Sequence, residues 1–197
     1  MDIILASQSP RRRELLERMG LTGFQVISPD VDENLGEELP PAELVSRLSR
    51  RKAQAVAAKA GGDALVIAAD TVVALEGTIL GKPADELAAF RMLSALSGAR
   101  HQVYTGVTVL RGEEAYTEYE VTDVTFRELS EGEIEDYIRT GEPMDKAGAY
   151  GIQGYGALFI EGIQGDYYNV MGLPVCRLGR LLDRLGVHCL ALAARRR

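Results

Sequence analysis

Asp70 closes the most apolar run of the chain, Ala64-Leu65-Val66-Ile67-Ala68-Ala69-Asp70. A carboxylate there must be paired, metal-bound or turned into a cleft, because burying a lone charge is too costly. The alternative is an Asp that bonds local amides in a turn. Ligands of α/β sheets tend to lie outside the carboxyl ends of strands, which favours an Asp70 that faces a ligand. Glu33, beside Asp32 in the acidic loop 29–40, is the nearest acidic partner with which Asp70 could hold a divalent cation. Mg²⁺ takes oxygen ligands, often one or two carboxylates plus substrate phosphates. A solvated acidic loop is the plainer reading of the same residues.

Cations accompany these acids. Lys52 lies four positions from both Leu48 and Val56, on the inward side of a helical stripe. It either snorkels or reaches an anion in a cleft. Lys82 stands in Gly81-Lys82-Pro83, where Gly permits close approach and Pro stiffens the backbone. The turn Ser7-Gln8-Ser9-Pro10 precedes Arg11 and Arg12. Ser9 suits an N-cap and Pro10 the first helical position, so free amides and the positive helix end point at the turn. Hydroxyls, amides and guanidiniums converging there make a phosphate site; the alternative is a capped surface helix with solvated arginines. Gln153, in the Gly-rich stretch 141–157, carries the donor and acceptor needed to read a base edge. Cations for phosphates, two acids for metal or water and one amide for a base together suit hydrolysis of a nucleoside triphosphate.

The elements that must position these residues are legible from periodicity and caps. The pattern predicts a strand at 3–6, a helix at 10–19 closed by Gly20, and a strand at 24–28. A helix over 41–60 carries the stripe Leu44, Val45, Leu48 and Val56. The run 64–73 reads as a central strand buried on both faces, turning at Glu76-Gly77 into a short return strand around Ile79-Leu80. Asp85 caps a helix to about Leu96, and strands at 102–110 and 115–127 turn at Arg111-Gly112-Glu113. Ser130 and Glu133 form a capping box for a helix to Thr140. After the irregular stretch 141–157, a strand at 157–163 and a last helix over Leu173–Leu185 are expected. Alternating strands and helices with a long antiparallel pair predict an α/β fold, a mixed sheet whose hairpins form a second lobe.

With 197 residues the chain can bury a real core in one domain. Its net charge of −7 argues against broad binding to nucleic acid or an anionic membrane. The closing Arg195-Arg196-Arg197 is too short to reverse this and reads as a solvated tail. Two cysteines, Cys176 and Cys189, without a C-x-x-C pair, exclude a disulfide framework and a Cys-based zinc site and fit a reducing cytoplasm. The chain opens directly on a strand-like run, so no signal peptide is expected, and no stretch reaches the ~18 apolar residues of a membrane span. His101 and His188 lie far apart, giving little support to a His-centred metal site or a Ser/His/Asp triad.

Leu5-Ala6-Ser7-Gln8-Ser9-Pro10-Arg11-Arg12 resembles the opening motif of the Maf family. The likeness continues through Val31-Asp32-Glu33, Ala69-Asp70-Thr71-Val72-Val73 and Leu80-Gly81-Lys82-Pro83. It ends with Asp145-Lys146-Ala147-Gly148-Ala149-Tyr150-Gly151-Ile152-Gln153-Gly154 and Gly172-Leu173-Pro174. The resemblance implies a single domain over 1–197: an elongated mixed sheet flanked by helices, two lobes with a cleft, similar to inosine triphosphate pyrophosphatases. It implies a cytoplasmic nucleoside triphosphate pyrophosphatase, dependent on Mg²⁺ or Mn²⁺, that cleaves between the α- and β-phosphates. Such an enzyme removes or limits non-standard or excess nucleotides. Thr71 after Asp70 and the long Lys-Ala-Gly-Ala-Tyr-Gly-Ile-Gln-Gly block look like the subgroup acting on dTTP and UTP. The alternatives are the subgroup preferring 7-methylguanosine triphosphate and a nucleotide-binding regulator of septum formation and cell division. A homodimer is implied only by the resemblance.

By motif position Asp70 is the general base, with Glu33 and Asp70 as metal ligands. Arg11, Thr71 and Gln153 match the positions linked to substrate choice. Ser7, Ser9, Arg12, Lys52 and Lys82 match the remaining substrate-binding residues. Two departures stand out: Arg13 makes a third consecutive arginine, and Gly165-Asp166-Tyr167 replaces a common Gly-Ser-Tyr. The first is expected to point to solvent and the second to alter the cleft rim.

Overall fold

The computed structural model describes residues 2–194, so the arginines at 195–197 lie outside the described residues. Strands are Ile3–Leu5 (β1), Gln25–Val26 (β2), Leu65–Leu75 (β3), Thr78–Leu80 (β4), Arg100–Arg111 (β5), Glu114–Phe126 (β6) and Ile160–Gln164 (β7). Helices are Pro10–Arg18 (α1), Pro41–Ala60 (α2), Glu86–Leu96 (α3), Glu131–Arg139 (α4), Tyr167–Met171 (α5), Val175–Arg184 (α6) and Cys189–Ala194 (α7). The sheet runs β2-β1-β3-β5-β6-β7, with β4 also on β3. β1 pairs parallel with β2 and β3, and the other pairs are antiparallel. The expected mixed α/β architecture is what forms, and among the described residues no helix is long and apolar enough to cross a membrane.

β3 organises the molecule. Successive side chains of a strand face opposite ways. Leu65, Ile67 and Ala69 therefore join a core with Leu5, Leu15, Leu16, Leu178 and Leu182. Val66 and Ala68 join another with Ile4, Ala53 and Val56 on the α2 side. α2 lies so close that a Cβ on Gly106 would stand 2.2 Å from the Val45 carbonyl oxygen. Farther along, Val73 enters a separate core with Leu93, Val103, Phe126, Ile134 and Phe159. The residues of β3 between the first two cores and the third lie at a seam between them.

One edge of β3 pairs with β5 from Val66 to Ala74. The other edge is shared by β1, opposite Leu65–Ile67, and β4, opposite Val73–Leu75. Between those partners, among the described residues, no strand lies beside that edge. Asp70 falls in that gap. It lies within the strand, as the expected run 64–73 has it, and β3 continues two residues further to Leu75 because Val73 and Leu75 pack on the third core.

Three other boundaries differ. β2 is two residues long, and residues 157–159, expected as the start of a strand, belong instead to a 3₁₀ turn over Tyr155–Phe159 before β7. The cause of the latter is Glu142, whose carboxylate accepts from Tyr155 N at 2.8 Å and Gly156 N at 3.1 Å and holds that backbone in a turn. The expected last helix is shorter and lies between two others. Asp166 caps α5, Gly172 ends it at φ 105°, and α7 follows α6 after Gly186.

Candidate active site

The gap in β3 opens into a cleft of about 710 Å³. The turn after β1 brings Ser7 and Ser9 to it, α1 brings Arg11 and Arg12, the acidic loop brings Glu33 and α2 brings Lys52. β3 contributes Asp70 and Thr71, and the segment after β4 contributes Lys82. Nine of the ten expected site residues therefore line one cavity.

At its floor Lys52 Nζ is 2.5 Å from Asp70 Oδ1 and 2.7 Å from Glu33 Oε1. Lys52 and Asp70 are both buried, Lys52 at 8 % exposure, so the stripe position resolves in favour of an ion pair over a snorkelling lysine. Burial by itself would raise the Glu33 carboxyl, but the Lys52 hydrogen bond and charge, with Lys82 and Arg12 beyond, hold it below the usual carboxylate range. Two carboxylate oxygens thus converge on one cationic point, a donor set that suits a hard divalent ion completed by phosphate oxygens. Asp32 is not part of it; its carboxylate accepts from Asn34 N at 2.9 Å in a local turn.

The α1 turn forms as its residues dictate. Ser9 caps the helix, accepting from Arg12 N at 3.5 Å, and Ser9 N donates to Ser7 Oγ at 3.2 Å. Arg12 folds back over the turn. Its Nε donates to the Gly172 carbonyl at 2.8 Å, Nη1 to Ser7 Oγ at 3.2 Å and Nη2 to Thr71 Oγ1 at 3.0 Å. Burial pulls the Arg12 guanidinium below its ordinary value, with Asp70 opposing that and Arg11 adding to it. Arg11 is held differently: Nη1 meets Asp145 Oδ2 at 3.4 Å across the cleft mouth. Lys82 is exposed, with no ion-pair partner among the described residues.

Gln153 is the exception. It is exposed on the Gly-rich segment, does not line the cavity, and its Nε2 donates to Glu14 Oε2 at 3.2 Å. The segment itself is well anchored. Tyr137 donates to Glu142 Oε1 at 2.8 Å and accepts from Gly151 N at 3.2 Å, while Lys146 Nζ donates to the Glu142 carbonyl at 2.6 Å. Behind it, the fully buried His101 places Nε2 2.8 Å from the Tyr150 hydroxyl.

Sequence reasoning assigned no role to Asp145, Lys146 and Tyr150, which also line the cavity. The adjacent opposite charges of Asp145-Lys146 at the start of a Gly-rich stretch were the available signal. Nothing in the local sequence pointed to the Gly172 carbonyl, which reaches Arg12 from across the chain.

A family model described as Maf-like protein matches residues 2–185. The chain belongs to the Maf family. A dTTP/UTP pyrophosphatase of Moorella thermoacetica is 54% identical over 188 residues, covering 94% of this chain and 95% of that one. A protein of the same name from Symbiobacterium thermophilum is 53% identical over 184 residues, covering 93% and 94%. Another from Bacillus cereus is 50% identical over 185 residues, covering 94% and 96%. A solved nucleoside-triphosphatase / dITP/XTP pyrophosphatase of Mycobacterium abscessus superposes with TM-score 0.45 at 16% identity, covering 94% of this chain and 97% of that one.

The two departures from the Maf pattern find structural places. Arg13 points outward and pairs with Glu17 at 3.3 Å. Asp166 does not line the cavity; it caps α5, accepting from Tyr168 N at 2.8 Å.

Proposed function

We propose that this Maf protein hydrolyses nucleoside triphosphates, dTTP and UTP foremost, to the monophosphate and pyrophosphate. The observation that carries the reading is the cleft floor. Asp70 and Glu33 converge on Lys52 within 2.7 Å, and Arg11, Arg12 and Lys82 line the same cavity. The names of relatives about half identical over nearly the whole chain support the same substrates.

Arg11, Lys82 and the Ser7–Ser9 turn neutralise the triphosphate and hold it in place, and Arg12 borders the bound nucleotide beside Thr71. Glu33 and Asp70 are the residues that would hold a Mg²⁺ or Mn²⁺ ion. When bound, the ion supplies positive charge against the phosphate oxygens and the leaving pyrophosphate. Asp70 accepts a proton from a water whose oxygen attacks the α-phosphorus. The bond from that phosphorus to the α–β bridging oxygen breaks, and its electron pair leaves with pyrophosphate. Lys52 balances the charge of Asp70 throughout. Thr71 and Arg11 border the site where a base or sugar is selected, and Gln153 reaches it only by leaving Glu14.

The test is pyrophosphate release with Mg²⁺ from dTTP, UTP, CTP, GTP, ATP and 7-methylguanosine triphosphate, with folded Asp70→Asn as the control. Release from dTTP or UTP that disappears in the variant supports the proposal. Release confined to 7-methylguanosine triphosphate replaces the substrate assignment, and nucleotide binding without release points to a regulator.

A further inference from the structure

Hydrogen-bond directions beneath the cleft can be worked out from donor and acceptor capacity alone. The Asn169 main-chain oxygen can only accept, and Thr105 Oγ1 lies 3.0 Å from it with the geometry of a donor. A threonine hydroxyl has one proton, so Thr105 has none left for its other neighbour. That neighbour is Thr71 Oγ1, at 2.9 Å. The proton between the two hydroxyls therefore belongs to Thr71. On the other side of Thr71, Arg12 Nη2 at 3.0 Å can only donate. The chain runs one way: Arg12 N–H to Thr71, Thr71 O–H to Thr105, Thr105 O–H to the Asn169 carbonyl.

Thr105 is fully buried in β5 and does not line the cavity. Asn169, also fully buried, is pinned by Nδ2 to the Val103 carbonyl and to Thr122 Oγ1, each at 2.9 Å. The acceptor at the end of the chain is thus fixed by the sheet.

We propose that Thr105 is a positioning residue for substrate choice: it turns the Thr71 hydroxyl inward and leaves it able only to accept from a bound ligand. Thr71 Oγ1 keeps one lone pair, and Arg12 Nη2 beside it keeps one N–H. Donor and acceptor then stand side by side, 3.0 Å apart, at the cleft wall. Uracil and thymine present the complement, the C4 carbonyl next to N3–H. Cytosine reverses both groups, with an amino donor next to a ring-nitrogen acceptor. The polarity of this half-buried Thr–Thr pair thereby favours UTP and dTTP over CTP, a conclusion that rests on the proposed nucleotide hydrolysis at this cleft.

Thr105→Val keeps the shape of the side chain and releases the Thr71 proton, whereas Thr105→Ser keeps the hydroxyl. Steady-state kinetics on UTP and CTP, with thermal unfolding to confirm the fold, separate the cases. The expected result is a fall of at least ~10-fold in the UTP-to-CTP ratio of kcat/KM for Thr105→Val, and a ratio within about 3-fold of wild type for Thr105→Ser. A folded Thr105→Val that loses activity equally on both nucleotides, or keeps the ratio, overturns the proposal. Wild-type protein that hydrolyses neither nucleotide overturns the functional reading, and neutron diffraction then decides the polarity by itself. A deuteron on Thr71 Oγ1 aimed at Thr105 supports it, and one aimed into the cleft overturns it.

Discussion

The floor and the mouth of the cleft use similar residues in different ways. On the floor Asp70 and Lys52 are buried in contact, and Arg12 is held by three acceptors that the fold supplies from the α1 turn, β3 and the loop after α5. At the mouth Arg11 meets a largely exposed Asp145 at 3.4 Å, and Gln153 meets Glu14 on the surface. Exposed ion pairs contribute ~0–1 kcal/mol, so a ligand displaces them readily. Buried, hydrogen-bonded charges keep their geometry, because leaving one unpaired costs several times more. On the proposed function, the floor serves chemistry that needs fixed positions and the mouth serves contacts that form when substrate arrives.

The largest effect that could break this contrast is at Asp70. Asp70→Asn keeps the shape and removes the proton acceptor, so kcat falls at least ~100-fold while the protein stays folded. Near-normal turnover would remove the floor from the chemistry.

The two adjacent arginines sharpen the contrast. Lysine cannot reproduce a guanidinium that donates in three directions. Arg12→Lys is therefore expected to lower kcat/KM by ~100-fold, and Arg11→Lys by less than about 10-fold, measured on the same nucleotide. Equal losses would show that the mouth is as fixed as the floor.

Behind the mouth, His101 sets a pH dependence of stability. Burial pushes its imidazole from 6.5 down to about 4. Below pH 6.5 the unfolded chain binds a proton that the folded chain refuses, so stability falls as pH drops towards 4, by about 3 kcal/mol in all. Urea unfolding between pH 7 and 4 should show this slope flattened in His101→Gln. An unchanged slope would mean that the imidazole is not the group that titrates.

Glu33 contributes with the same sign from a more exposed place. Its folded pKa is lowered, so its stabilisation is present above its unfolded value near 4.5 and is lost as pH falls through the folded one. Wild type and Glu33→Gln should differ in midpoint at pH 7 and converge at acid pH.

The smallest effect is expected at the mouth. Gln153→Ala should shift preference among bases by only a few-fold and leave kcat on the best nucleotide nearly intact. A large loss of kcat would place Gln153 in the site even without substrate.

Much of this was legible locally. The bounds of α2, the Ser9 and Asp85 caps and the Ser130–Glu133 capping box depend on neighbours in sequence, and they form as expected. The turn Glu76-Gly77 and the hairpin of β5 and β6 did so for the same reason. Asp70 drew attention as a charge within an apolar strand, but the gap beside it was not legible, since it is left by β1 and β4, which come to that edge of β3 from different parts of the chain. α5 and α7 escaped notice because they are only five and six residues long, too short for a periodic pattern to register.

By itself the sequence determined the caps, the hydrophobic periods, the acidic balance and the kinds of groups available for phosphate chemistry. Those properties act over a few residues or are simple sums. Only the tertiary structure decided that β1 and β4 leave a gap on one edge of β3, that Lys52 meets both Asp70 and Glu33, and that Arg12 is fixed while Arg11 is not. It also decided that Gln153 rests on Glu14 outside the cavity, and that a buried threonine orients the Thr71 hydroxyl. Each of these depends on atoms brought together from distant parts of the chain by strand pairing and core burial, whose free energy does not reside in any one segment.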